Sequence, residues 1–201
     1  MNIALGNSAR YKLTYMLIAA NIIAYVYTSI IGGDFIDTGD YPILLYGQVN
    51  SRVFQGWYWQ LLTSMFVHAN IVHLFGNMFF FLIFGLRAEE LFKAKEYLLI
   101  YFLSGLTGNL LSLLFGPAYI SVGASGAIFG VFGACIIYVR RAVGQSIISA
   151  LAYAFFLLLM SSGAGVNNMA HLGGLVIGLL LGYVLATKRK ARLTYQFRYS
   201  Y

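Results

Sequence analysis

Six stretches of the chain are apolar almost throughout, at residues 13–31, 71–86, 97–115, 123–139, 146–160 and 169–186. Short clusters of charged and polar residues separate them. A bilayer core takes about 20 helical residues. The pattern therefore predicts an all-α membrane protein, a bundle of six transmembrane helices in one domain covering 1–201. The second and fifth runs are short, and each can extend into weakly polar neighbours. The first run follows Arg10 and Lys12, as in a signal peptide, but it exceeds an h-region of about 7–15 residues and lacks a clear small-x-small cleavage site. It is read as the first span. No repeat of 20–50 residues is evident.

The long connection between the first two runs, 32–70, is not an ordinary polar loop. It carries Tyr41, Tyr46, Phe54, Trp57, Tyr58 and Trp59, and aromatic rings of this kind settle at headgroup level. The stretch 59–67 is amphiphilic. This first outer loop is expected to be a structure lying in the membrane interface.

Composition agrees with the pattern. The 201 residues are 60% hydrophobic and 9% charged, against about 25% charged in a soluble domain. The net charge of +7 does not indicate a nucleic-acid partner, because the basic residues are scattered over short loops and the C-terminal tail at 187–201. They read as topology signals and contacts with anionic lipid. With six spans, Arg10, Lys12, Arg87, Lys93, Lys95, Arg140, Arg141 and the basic tail all fall on one side. Of 13 basic residues only Arg52 falls on the other. The positive-inside rule puts both termini in the cytoplasm. The single cysteine, Cys135, allows neither an internal disulfide nor a thiolate metal site.

Charged residues also serve as rulers of depth. Ser125 lies 15 positions before Arg140. At about 1.5 Å per residue in a core about 30 Å thick, it sits roughly 8 Å below the outer boundary. The same count places His171 about 5 Å and His73 about 9 Å below it, with Asn77 one turn deeper on the face of His73. Three spans thus bring four polar side chains to one shallow layer. Polar groups within spans usually face the bundle interior or a wet cavity and mark function.

A serine hydroxyl becomes a nucleophile when a base takes its proton, and His171 can act as that base. No Asp or Glu is placed to orient it, so a Ser-His dyad fits better than a triad. Phe129, one turn after Ser125, can pack on the imidazole. Attack on a carbonyl needs donors aimed at the oxyanion. Candidates are the Ser125 N–H at a helix start, the Asn77 amide and the His73 imidazole. His68 and His73 are five apart with no carboxylate near, a poor match to a metal site; no metal or cofactor is expected. Gly126 and Gly130 in the fourth span, and Gly174, Gly178 and Gly182 in the sixth, form small-residue faces. If these faces pack together, Ser125 and His171 come within reach.

These residues resemble the rhomboid family of intramembrane serine proteases. The motifs are GxSGxxxG from Gly123 to Gly130, Ala170-His171-Leu172-Gly173-Gly174, His73-xxx-Asn77, the stretch from Trp59 to His68, and Gly85-xxx-Glu89. The resemblance covers nearly the whole chain and corresponds to a minimal six-span core. It implies Ser125 as nucleophile, His171 as general base, His73 and Asn77 in oxyanion stabilisation, and cleavage of single-span membrane proteins near their outer ends. It also implies a gate at the fifth span. Gln60 after Trp59 departs from the arginine common in the family and puts the loop's internal contacts in question. A non-cutting adaptor of the same fold is disfavoured by retention of both serine and histidine. A small transporter is disfavoured by the lack of inverted repeats and buried carboxylates.

Overall fold

The computed structural model describes residues 11–163 and 165–198, with side chains described through Arg189. Arg10 and the side chains of Lys190, Arg192 and Arg198, counted above as topology signals, lie outside it. Six long helices carry the apolar runs: α1 (Lys12–Gly32), α5 (Ile71–Leu91), α6 (Ala94–Ser112), α7 (Ser125–Ala142), α8 (Ile147–Met160) and α9 (Asn168–Arg198). Five are long and apolar enough to cross a membrane, and α8 is a shorter apolar helix. Between α1 and α5 lie three short helices, α2 (Asp40–Tyr46), α3 (Asn50–Phe54) and α4 (Gln60–Thr63), and a two-residue strand, β1 (Gln48–Val49).

Two boundaries differ from the sequence expectation. The second span runs on to Leu91, and its first charges are paired. Arg87 meets Glu90 at 2.6 Å, and Glu89 accepts the N–H of Thr14 at 2.6 Å, which caps α1. The last helix continues past 186 to Arg198. Arg189 is not a loose tail charge: its guanidinium donates to Glu96 at 2.5 Å, to the Leu91 carbonyl and to the Tyr138 hydroxyl.

Small residues set the centre of the bundle. Along the α7–α9 seam, Gly174 lies on the Gly126 carbonyl, Gly178 on the Gly130 carbonyl and Gly182 on the Ala134 carbonyl. Gly108 of α6 lies on the Ala170 carbonyl in the same manner. Absent side chains let these backbones touch, which makes α7 the most enclosed of the spans. Larger side chains fill the flank toward α5 and α6, with Phe81, Tyr97, Ile100 and Tyr101 fully buried.

The 33–70 connection is an ordered plug with a polar interior and an aromatic rim. Gln48, Asn50, Gln60 and His68 are fully buried, and the three amides are bonded to backbone. Asn50 donates to the Ser112 and Gly116 carbonyls, both at 2.8 Å. Gln60 accepts the Val49 N–H at 3.0 Å and donates to the Leu44 carbonyl at 2.9 Å. The glutamine thus supplies internal loop contacts itself. Arg52 also donates to the Leu44 carbonyl and lies over the Trp57 ring. Tyr41, Phe54, Tyr58 and Trp59 point outward. β1 pairs antiparallel with β2 (Ile120–Ser121), Gln48 opposite Ser121, which joins the plug to the segment leading into α7.

His68 gives this plug a pH response. Burial, reinforced by His73 at 5.2 Å between ring centroids, pushes its imidazole down from 6.5 to about 3. Between those values the unfolded chain holds a proton that the folded chain does not. Stability therefore rises with pH across that window. It is expected to be complete above about pH 6.5 and to fall as the pH drops toward 3. Unfolding midpoints at pH 7.5 and pH 5 would measure this, and His68→Phe should reduce the difference.

Candidate active site

Three of the long helices, α5, α7 and α9, begin at the end of the bundle occupied by the plug. Each brings a polar residue in its first turn: His73, Ser125 and His171. Gly123 makes the turn into α7 with φ of 117°, a left-handed conformation costly for any other residue. Its N–H is held by the Ser64 carbonyl of the plug at 2.9 Å. Ser125 then opens α7, and the N–H groups of a first turn have no acceptor within their own helix.

The seam of glycines brings α9 alongside, and Ser125 Oγ lies 2.8 Å from His171 Nε2. Phe129 stacks on the imidazole, with ring centroids 4.5 Å apart and planes 24° from parallel. The second ring nitrogen, Nδ1, faces the Ser161 hydroxyl at 3.5 Å. Gly126 and Gly174, beside these two residues, form the close contact that sets their separation; Gly178 repeats it one turn on.

His73 and Asn77 flank Gly123. A Cβ on that glycine would sit 2.9 Å from His73 Nε2 and 3.9 Å from Asn77 Nδ2, so the imidazole and the amide lie against the turn that delivers the serine. Asn70 caps α5 by accepting the His73 N–H at 2.8 Å. Asn77 donates one amide hydrogen to the His73 carbonyl at 2.9 Å, which leaves a second for a ligand. All these groups border one cavity of about 500 Å³, within the range of small-molecule and active-site clefts. Its other wall is apolar and includes Phe80, Phe84, Phe132 and Leu157.

Asn167 was not singled out in the sequence. It donates to Ser112 Oγ at 2.6 Å and to Ser121 Oγ at 2.7 Å. Its carbonyl oxygen accepts the Ala170 N–H at 3.0 Å, which makes it the N-cap of α9. One amide thus ties α6, the strand leading to Ser125 and the helix bearing His171. An asparagine just before an apolar run is a legible cap, but its partners on other elements are not. Asn167→Ala is expected to destabilise the protein by about 0.5–2 kcal/mol, the usual cost of losing such a cap. A lowered unfolding midpoint of the purified variant would check this.

The chain belongs to the rhomboid family: a Rhomboid domain profile matches residues 55–188. It is 33% identical over 182 residues to rhomboid-like protease 3 of Toxoplasma gondii, covering 85% of this chain and 68% of that protein. It is 32% identical over 196 residues to rhomboid protease GluP of Bacillus subtilis (strain 168), covering 90% of this chain and 36% of that one. It is 41% identical over 133 residues to the mitochondrial RHOMBOID-like protein 6 of Arabidopsis thaliana, covering 63% and 43%. The match thus spans less than half the length of the last two.

Proposed function

We propose that this protein is an intramembrane serine endopeptidase that uses a Ser125–His171 dyad. The observation that carries the reading is the 2.8 Å contact between Ser125 Oγ and His171 Nε2 in a cavity with a polar and an apolar wall. Membership of the rhomboid family, with relatives named as proteases, supports it.

The chemistry follows from the geometry. His171 Nε2 takes the hydroxyl proton as Ser125 Oγ attacks the scissile carbonyl. The carbonyl π electrons move to oxygen. The first-turn N–H of Ser125, the second amide hydrogen of Asn77 and the His73 ring are the donors that would serve that developing oxygen. The imidazolium then returns its proton to the leaving amine, giving an acyl-enzyme on Ser125. Water deprotonated by the same imidazole hydrolyses the ester and restores the hydroxyl. No step calls on a metal or cofactor.

Substrates are single-span membrane proteins. A peptide bond within a helix is shielded by its own hydrogen bonds, so the substrate unwinds near the cut, and helix-weakening residues there favour cleavage. Loop charges support cytoplasmic termini and a site opening toward the outer face. The aromatic rim of the plug would then lie at headgroup level. The test is cleavage of a panel of single-span proteins by purified protein in detergent, with a fluorophosphonate as an independent probe. Cleavage and labelling at Ser125 are expected. Substrates left intact and Ser125 unlabelled would end the proposal.

A further inference from the structure

Among the described residues no carboxylate meets the second nitrogen of His171, yet its ring is held on three sides. Nε2 meets Ser125 Oγ, and one ring face meets Phe129. Nδ1 faces Ser161 Oγ at 3.5 Å. Ser161 closes α8, and its hydroxyl donates to the Leu158 carbonyl at 2.8 Å. A hydroxyl has a single proton and two lone pairs. With the proton on Leu158, what Ser161 offers His171 is an acceptor.

An acceptor at Nδ1 selects the tautomer that carries its proton there. Nε2 is then bare and aimed at the serine, the form needed to take a proton from it. In a triad the carboxylate does this work. We propose that Ser161 is a positioning residue that fixes the tautomer and ring orientation of His171. The proposal rests on the dyad reading above. The 3.5 Å separation is long, as catalytic hydrogen bonds often are before substrate binds and tightens them. Phe129 alone cannot do this work: a stacked ring holds the imidazole plane but does not distinguish its two nitrogens. Ser161 is also the C-cap of α8, whose buried residues are only Ala150 and Ala154. The acceptor therefore travels with the most lightly packed of the long helices.

The test compares Ser161→Ala, Ser161→Val and Ser161→Thr in the purified full chain. The control is Ser162→Ala, whose hydroxyl donates to the same Leu158 carbonyl and, among the described residues, forms no hydrogen bond with His171. Readouts are kcat and KM on a cleavable single-span substrate, and the rate of fluorophosphonate labelling. Alanine and valine are expected to lower kcat and labelling roughly tenfold at unchanged KM. Threonine, which keeps the hydroxyl, should restore both, and the Ser162 variant should match wild type. Wild-type kcat in Ser161→Ala overturns the proposal. So does equal impairment of the threonine and valine variants, which would mark a packing role. Those outcomes leave the dyad standing. A wild-type protein that neither cleaves nor labels overturns the protease reading itself, and this proposal with it.

Discussion

Ser125→Ala is expected to lower peptide-bond cleavage at least about a thousandfold while leaving KM nearly unchanged. The substitution removes one oxygen, which lies 2.8 Å from His171 Nε2. Alanine keeps the backbone of Ser125 at the start of α7 and fits the same space, so the bundle and the first-turn N–H remain. The nucleophile alone is lost. His171→Ala should have a similar effect, because the hydroxyl without its base is a weak nucleophile. The double variant should be no worse than either single one, since residues that act as a unit are not additive. Cleavage of a single-span substrate by the three purified proteins, with fluorophosphonate labelling in parallel, checks this. Substantial turnover in either single variant, or multiplicative loss in the double one, would be incompatible with a dyad.

The parts of this site that are legible in sequence are those governed by length and period. All six apolar runs become helices, five of them long and apolar enough to cross a membrane, and Ser125, His171 and His73, grouped by counting residues from the loop charges, border one cavity. Glycines four apart mark faces where backbones meet, and the structure brings the two faces together. What is not legible depends on the path of the chain through space. Gln60 follows Trp59 and reads as a departure from a motif, while its buried contacts to Val49 and Leu44 arise only once the plug has folded. Asn167 and Ser161 sit in short polar turns, where such residues usually serve local caps. Their reach to Ser121 and His171 has no periodic signature. Arg189 reads as one of a run of topology charges, yet it closes the far end of the bundle against Glu96. Buried polar contacts between elements are decided by tertiary geometry, and a lone sequence encodes them without displaying them.

The same reasoning predicts a large effect from a single methyl group. Gly178→Ala is expected to destabilise the protein by about 1–3 kcal/mol or more, the cost of overpacking. A Cβ there would overlap the Gly130 carbonyl group, lying 2.6 Å from its carbon and from the Gly130 Cα. Neither helix can absorb this by turning a side chain, because both contact surfaces are backbone. α9 must shift away from α7, and a shift near 1 Å is sufficient to break the Ser125–His171 contact. Gly178→Ala should therefore lose fluorophosphonate labelling as well as stability, although Gly178 is two turns from the dyad. Gly76→Ala separates this from a general intolerance of alanine. It lies within α5, and a Cβ there meets nothing within 4 Å. Replacing an uncrowded helical glycine by alanine gains up to about 1 kcal/mol. The unfolding midpoint should fall for Gly178→Ala and hold or rise for Gly76→Ala. Equal midpoints in the two variants would mean that the α7–α9 glycines do not set the helix separation on which the dyad depends.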